Sequence, residues 1–269
     1  MPSSPPLDFD DLARELDRWG EAGRVTSFWW RDDDASAPTL ALAKLLDLSD
    51  AHEIEVAVAV IPATASGGLV DALRSRNHAA ILQHGYAHKN HALAGEPAVE
   101  CGGDHPVEKV LAELAEGRRR LTKMLGERFE PVLAAPWNRI ERPVLDRLAE
   151  AGFRGASAYG PRAAMRGVHG LVVANVHVDP INWRERRFAG RSKALSGILG
   201  ELSARRNGAT EADEPLGMLT HHLDHDAGLW DFLEALFALT NGHPAARWIT
   251  VAEAFATPSS ASASLASAR

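Results

Sequence analysis

Short apolar runs that alternate with helical patterns constrain the fold of this 269-residue chain more than any other feature. The runs are rich in β-branched and aromatic residues and lie at Val25–Trp30, Glu55–Ile61, Ala79–Gln83, Val132–Ala135, Phe153–Tyr159, Gly170–Val178, Leu216–Thr220 and Trp248–Val251. Patterns typical of helices fall between most of them. Such alternation predicts parallel βαβ units with helices on both faces of one sheet. The sheet could be open and doubly wound or closed into a barrel, and the chain length favours a barrel.

One continuous domain is the simplest organisation of this sequence. Residues 1–24 are predicted to be an N-terminal segment with an amphipathic helix at Leu7–Trp19, and residues 25–256 the barrel. The tail at 257–269 is rich in Ser and Ala, and we expect it to be disordered because it has few large apolar side chains to bury.

Composition excludes several classes of protein. The net charge of -7 argues against a nucleic-acid partner, because proteins that bind nucleic acids usually have a basic surface. A single cysteine excludes an intramolecular disulfide and a cysteine-rich zinc module. No apolar run approaches the roughly 20 residues that span a bilayer, so no membrane partner is expected. The first residues lack the basic and apolar regions of a secretory signal, which predicts a cytoplasmic protein.

Carboxylates and imidazoles follow several of the predicted strands. Three consecutive aspartates, 32–34, end the first run, and His84 and His88 follow the third. Histidines four residues apart on one helical turn can reach one ion, and an aspartate from a neighbouring strand end would give three protein ligands with a position left open. That pattern is typical of a catalytic zinc site, although an iron oxygenase uses the same ligand types. Near the end of the chain, His221 or His222 could act as a general acid.

The order of these motifs resembles that of the polysaccharide deacetylase superfamily, also called the NodB-homology or family 4 carbohydrate esterases. The resemblance covers residues 25–255 and rests on the Asp-Asp pair, His84-x-x-x-His88, Pro136-Trp137 and Leu219-Thr220-His221. It implies a distorted (β/α) barrel of about seven strands in a single domain. It also implies metal-dependent hydrolysis of N-acetyl groups or other C–N bonds that are not peptide bonds.

Roles carry over from the family to matching positions of this sequence. Asp33 would be the general base and His221 the general acid, with Asp34, His84 and His88 as ligands of one divalent ion. Zinc is the first choice of ion, with Co, Ni, Mn and Fe as alternatives, and Asp32–Asp33 is an alternative register of the aspartate pair. The predicted substrate-binding residues are Pro136, Trp137, Arg139, Asp179, Trp183 and His222.

Two substitutions and a fourth motif that is recognisable only loosely, as Asp179 and Trp183, depart from the family pattern and indicate a divergent member. Ala134 stands where the family has an arginine that pairs with the base aspartate, and Arg31 or Arg139 could substitute for it. Gly85 stands where the family has Ser or Thr after the first histidine.

An N-deacetylase of acetylated poly- or oligosaccharides is the leading function. A hydrolase of a small intracellular amide and a non-catalytic metal- or carbohydrate-binding protein are the alternatives. The substrate would accordingly be a carbohydrate or a small amide, and the sequence makes no prediction of the oligomeric state.

Overall fold

Parallel strands form the centre of the structure, as the alternating pattern predicts. The computed structural model describes residues 6–163, 165 and 170–256. Its strands are β1 (Thr26–Ala35), β2 (Val56–Val60), β3 (Ala79–His84), β4 (Phe129–Ala134), β5 (Gly155–Ser157), β6 (Val172–Val173), β7 (Ile181–Asn182), β8 (Arg187–Phe188), β9 (Leu216–Thr220) and β10 (Ala246–Trp248). Its helices are α1 (Phe9–Glu21), α2 (Leu40–His52), α3 (Gly67–Arg74), α4 (Val107–Leu125), α5 (Arg142–Leu145), α6 (Arg191–Arg206), α7 (Ala227–Gly242) and α8 (Val251–Ala254).

The main sheet is a distorted (β/α) barrel. Seven strands follow the order β10-β1-β2-β3-β4-β5-β6, and β9 pairs in addition with β1. Every pairing in this sheet is parallel. After β6, a single bridge from Tyr159 to Val176 extends the pairing between the ends of β5 and β6, and a bridge from Val178 to Met218 of β9 brings the two sides of the sheet together. The predicted α/β barrel is therefore confirmed, with a closure that regular strands do not make.

The alternation of side chains along β1 divides the core into an inner and an outer layer. Phe28 and Trp30 pack with the apolar residues of the surrounding helices, including α1 and α7. Trp29 points the other way and packs with Ala57, Leu82 and other residues of the neighbouring strands. Because successive residues of a strand face opposite sides, Arg31 and Asp33 share the inner face with Trp29.

The structure departs from the sequence-based expectations in several places. The predicted runs at Phe153–Tyr159 and Gly170–Val178 contain only the short strands β5 and β6. The first strand continues through the aspartates to Ala35 instead of ending at Trp30. The last strand ends at Trp248, and a short helix begins at Val251 because Thr250 and Glu253 form a reciprocal capping box. The antiparallel pair β7–β8 was not predicted.

Two sequence-based expectations concern the ends of the chain and the membrane. The predicted N-terminal helix is present as α1, whereas the tail at 257–269 lies outside the described residues. Within the described part of the chain, every helix is too short or too polar to cross a bilayer.

Candidate active site

A cleft of about 450 Å³ opens where β1, β3, β4 and β9 end, which is the end of the strands that carries chemistry in barrels of this type. Its walls bring together residues from five separate loops. The lining residues are Asp33, Asp34, His84, His88, Trp137, Asn138, Arg139, Asp179, Trp183, Arg186 and His221.

Asp34, His84 and His88 converge in this cleft, with one ligand atom of each within 4.8 Å of the others. Asp34 Oδ1 lies 3.1 Å from His84 Nε2 and 3.3 Å from His88 Nε2. The oxygen is buried, and no hydrogen bond from a described residue satisfies it. His84 Nδ1 lies 3.1 Å from the carbonyl oxygen of Ala134, which can only accept, so this nitrogen carries the proton. The Nε2 lone pair of His84 therefore faces the carboxylate, an arrangement that a cation would stabilise.

The local backbone explains how two adjacent aspartates both reach the cleft. Regular alternation would send Asp33 and Asp34 to opposite faces of β1. The pairing of β1 with β2 instead shifts register between Asp32 and Ala35, and Asp34 has a φ of 72°. This bulge turns the Asp34 carboxylate toward the two histidines. Burial raises the pKa of Asp34, but the imidazoles of His84, His221 and His88, in their protonated forms, outweigh burial and hold that pKa well below its ordinary value.

The loop that carries His88 is held by a buried carboxylate. Glu100 is 3% exposed and accepts backbone N–H groups from Ala87 at 2.8 Å, Tyr86 at 3.2 Å and Lys89 at 3.4 Å. A Cβ atom at Gly85 would lie 1.8 Å from Glu100 Oε2, and Gly85 has a φ of 55°. The glycine at this position therefore makes room for the Glu100 carboxylate. Glu100 supplies the acceptor contacts of this loop in a chain that lacks a hydroxyl side chain there.

Arg31 pairs with Asp33 inside the barrel. Arg31 Nε lies 2.9 Å from Asp33 Oδ1, and Arg31 Nη2 donates to Asp33 Oδ2 at 2.9 Å. Arg31 also donates to Ser157 Oγ at 2.7 Å and to Asn138 Oδ1. Both side chains of the pair are almost completely buried. Arg139, the other candidate partner of the base, is exposed and donates to the carbonyl of Ala98 at 3.1 Å. Arg31 therefore makes the contact for which the sequence offered two candidates.

Asp32 faces away from the cleft. Its carboxylate accepts from Thr220 Oγ1 at 2.7 Å and lies 2.5 Å from His222 Nδ1. Burial opposes ionisation of both groups, but their mutual attraction lowers the pKa of Asp32 and raises that of His222. This placement brings Asp33 and Asp34, and not Asp32, to the cleft. His222, predicted to contact substrate, is buried against Asp32 and does not line the cleft.

His221 lines the cleft from the end of β9. Its ring meets the ring of Trp183 edge to face, with 4.5 Å between centroids. Trp183 is 45% exposed and donates from Nε1 to Asp179 Oδ2 at 2.7 Å. Burial raises the pKa of Asp179, while His221 and the hydrogen bonds that Asp179 accepts from Ile181 N and Trp183 Nε1 act against that rise. His221 Nδ1 is buried, and no described residue hydrogen-bonds to it.

Trp137 forms another wall of the cleft, and its ring lies 4.2 Å from that of His88. Pro136, predicted to contact substrate, is buried and does not line the cleft. A Cβ at Gly85 would lie 2.5 Å from Pro136 Cγ, so the proline packs against the loop that carries His88. Of the six described non-glycine residues with positive φ, five line the cleft, namely Asp34, His88, Trp137, Asn138 and Arg186. Such strain is concentrated at functional sites.

Three residues of this region had no assigned role in the sequence analysis. Asn138 follows Trp137 directly, so its position beside that tryptophan was a usable signal. Arg186 reaches the cleft from the turn between β7 and β8 and pairs with Asp224 through Nε at 2.9 Å and Nη2 at 3.0 Å. Neither Arg186 nor Glu100 carries a recognisable motif, because their contacts depend on segments far apart in sequence.

Comparison with known proteins gives structural matches without sequence matches. No family model and no curated protein matches the sequence. A protein assigned as a polysaccharide deacetylase from Mycobacterium smegmatis superposes with a TM-score of 0.61 at 16% identity, covering 95% of this chain and 93% of that one. A family 4 acetyl xylan esterase from Clostridium thermocellum, in complex with a cobalt ion, gives 0.55 at 11% identity, covering 86% and 90%. A family 4 pseudoenzyme from Bacillus anthracis gives 0.55 at 10% identity, covering 87% and 66%. The chain therefore has the fold of the family 4 carbohydrate esterases.

Proposed function

We propose that this protein is a divergent family 4 carbohydrate esterase, a metal-dependent hydrolase that removes N-acetyl groups from acetylated saccharides. The observation that carries the proposal is the convergence of a His-His-Asp cluster, the Arg31–Asp33 pair and His221 in one cleft. Each group that the reaction needs has a candidate side chain at the end of a different strand.

Asp34, His84 and His88 would hold one divalent ion. Their donor set is that of a catalytic zinc site, with three protein ligands and space on the cleft side for water and substrate. The buried, unsatisfied Oδ1 of Asp34 fits such an ion. When bound, the ion would polarise the acetyl carbonyl and make water more acidic. The cobalt ion in the Clostridium thermocellum esterase supports a divalent ion in this fold.

Asp33 is positioned to accept the proton of the attacking water. The two contacts with Arg31 fix the orientation of its carboxylate and balance its buried charge. His221 would donate a proton to the amine nitrogen as the C–N bond breaks, because an amine leaves poorly without one. The Trp183 ring against His221 limits the rotation of the imidazole.

The walls of the cleft favour a carbohydrate substrate. Trp137 and Trp183 offer aromatic faces against which a sugar ring can lie, and Asn138, Arg139 and Arg186 offer hydrogen-bond donors for hydroxyl groups. Two of the similar structures, the family 4 acetyl xylan esterase and the protein assigned as a polysaccharide deacetylase, are named for action on polysaccharides.

Release of acetate from N-acetylglucosamine oligomers tests the proposal. The zinc-loaded wild type should release acetate, a chelator should abolish the activity, and added zinc should restore it. Asp33→Asn should lose turnover by about 10²-fold or more, typical of removing a general base, while it still binds zinc. Asp71→Asn, on the exposed face of α3, is the matched control.

Three results would contradict the proposal. Wild-type turnover by Asp33→Asn would refute the assignment of the base. Turnover of small acylamides, with none of the oligomers, would identify a different hydrolase on the same site. Zinc and oligosaccharide binding without any product would identify a non-catalytic protein.

A further inference from the structure

A second cluster of metal-ligating side chains lies outside the cleft, between the His88 loop and helix α4. It consists of His91, His105 and Glu113, and one ligand atom of each lies within 4.8 Å of the others. His105 Nε2 lies 3.3 Å from Glu113 Oε1. Two ligand atoms about 2.0–2.1 Å from a tetrahedral zinc ion are separated by roughly 3.3 Å. In the cleft, Asp34 Oδ1 and His88 Nε2 have the same separation of 3.3 Å.

The protonation of His91 leaves a nitrogen free for an ion. His91 Nδ1 lies 3.1 Å from the carbonyl oxygen of Glu100, so this nitrogen must donate its proton. The lone pair of His91 is then on Nε2. His84 in the cleft has the same arrangement, with Nδ1 at 3.1 Å from the carbonyl of Ala134. A backbone carbonyl that fixes the tautomer and orientation of a histidine is characteristic of metal ligands.

The backbone holds the two histidines side by side. His91 N donates to the carbonyl of Val99 at 2.8 Å, and the carbonyl of His91 accepts from Asp104 N at 2.8 Å. Gly103 approaches so closely that a Cβ there would lie 2.2 Å from the His91 carbonyl oxygen. The rings of His91 and His105 are consequently 4.1 Å apart between centroids. Helix α4 then presents Glu113 from its second turn, so three separate backbone positions meet at one point.

We propose that His91, His105 and Glu113 bind a second divalent transition-metal ion of the zinc class. Two imidazoles and one carboxylate match the ligand preference of zinc, and the partial exposure of His105 and Glu113 leaves a position for water. The ion joins the segment after the His88 loop to α4. Because Glu100 lies in that segment and holds the His88 loop, the second ion supports the catalytic loop from outside the cleft.

Zinc stoichiometry of the full chain tests this site independently of any hydrolysis. The protein is stripped with a chelator, reloaded with excess zinc, desalted and analysed by elemental mass spectrometry. The wild type should retain two equivalents of zinc. His105→Ala and Glu113→Gln should each retain one, and Asp34→Ala should also retain one. His78→Ala, which removes a histidine outside both clusters, should retain two.

Two outcomes would overturn the second site. One is a wild type that retains a single equivalent, which Asp34→Ala loses and Glu113→Gln keeps, and the other is retention of both equivalents by His105→Ala and Glu113→Gln. Glu113 lies on the surface of α4, so Glu113→Gln gives an answer even where His105→Ala fails to fold. Failure of the hydrolase proposal would leave these stoichiometries unchanged, since a protein without turnover can still hold two ions.

Discussion

Replacement of Arg31 by methionine removes the guanidinium from the Asp33 pair and retains most of its volume. The arginine side chain has no exposed surface and that of Asp33 has 2%. Two contacts of 2.9 Å join them, and Ser157 Oγ accepts from the same guanidinium at 2.7 Å. The substitution would therefore leave a buried carboxylate without its counter-ion.

The expected cost follows from this burial. Removing one partner of a buried ion pair destabilises a protein by about 3–5 kcal/mol, which is a large part of the roughly 5–15 kcal/mol that stabilises a typical domain. Arg120→Met, at an exposed position of α4, should change the free energy of unfolding by at most about 0.5 kcal/mol. Denaturant unfolding of both variants measures the difference.

A double variant that moves the arginine from position 31 to position 134 tests the same ion pair in a second way. Ala134 pairs with Ser157 across β4 and β5, and residues paired in this way face the same side of the sheet. An arginine at position 134 would thus project from the same face of the sheet as Ser157, whose side chain contacts Arg31. The double variant Arg31→Ala/Ala134→Arg should recover much of the stability and turnover lost by Arg31→Ala. Loss of less than about 1 kcal/mol in Arg31→Met, within the range of ordinary substitutions, would refute the importance of the pair.

Two further predictions concern the metal-binding loop and acid stability. Gly85→Ala should lower the free energy of unfolding by about 1–3 kcal/mol, because its Cβ would collide with Glu100. It should also weaken zinc binding in a competition titration. Gly95 also has positive φ but has open space around it, so Gly95→Ala should not weaken zinc binding. Equal zinc affinity in both variants would contradict this. Burial lowers the pKa of His225 from 6.5 to about 4. The unfolded chain therefore takes up a proton first as the pH falls, and up to about 3 kcal/mol of stability should be lost between pH 6.5 and 4. Denaturant unfolding across this range should show a shallower loss for His225→Phe, and parallel pH profiles would refute it.

The element order of the barrel was predictable because apolar strands and amphipathic helices differ in period. The length of β1 was not. The apolar run ends at Trp30 and three consecutive aspartates follow it. In the structure Thr220 hydrogen-bonds to Asp32 and Arg31 pairs with Asp33, so the strand continues through them. Such partners override local propensity. The capping box at Thr250 and Glu253 was visible in the sequence and would have ended the last strand correctly.

The candidate site was predictable in residue type more than in arrangement. The order of motifs predicted that Asp33, Asp34, His84, His88 and His221 would share one cleft, and all five line it. The Arg31–Asp33 pair could have been derived from their spacing of two along a strand, which puts both on one face. The contact between Glu100 and the His88 loop could not, since it joins positions 11 to 14 residues apart through an irregular backbone.

The two substitutions in the family pattern bear on whether the site is catalytic. Arg31 reaches the Asp33 carboxylate where Ala134 cannot, and Glu100 holds the loop where Gly85 has no hydroxyl. A buried ion pair is weak support for stability, since apolar residues of similar volume often serve as well or better. Left-handed backbone at residues such as Asp34 and His88 costs further free energy. Stability alone therefore does not account for these features. Their concentration at one cleft is what we expect at a functional site, where ligand binding or catalysis selects the arrangement, and it supports the proposal made for this cleft.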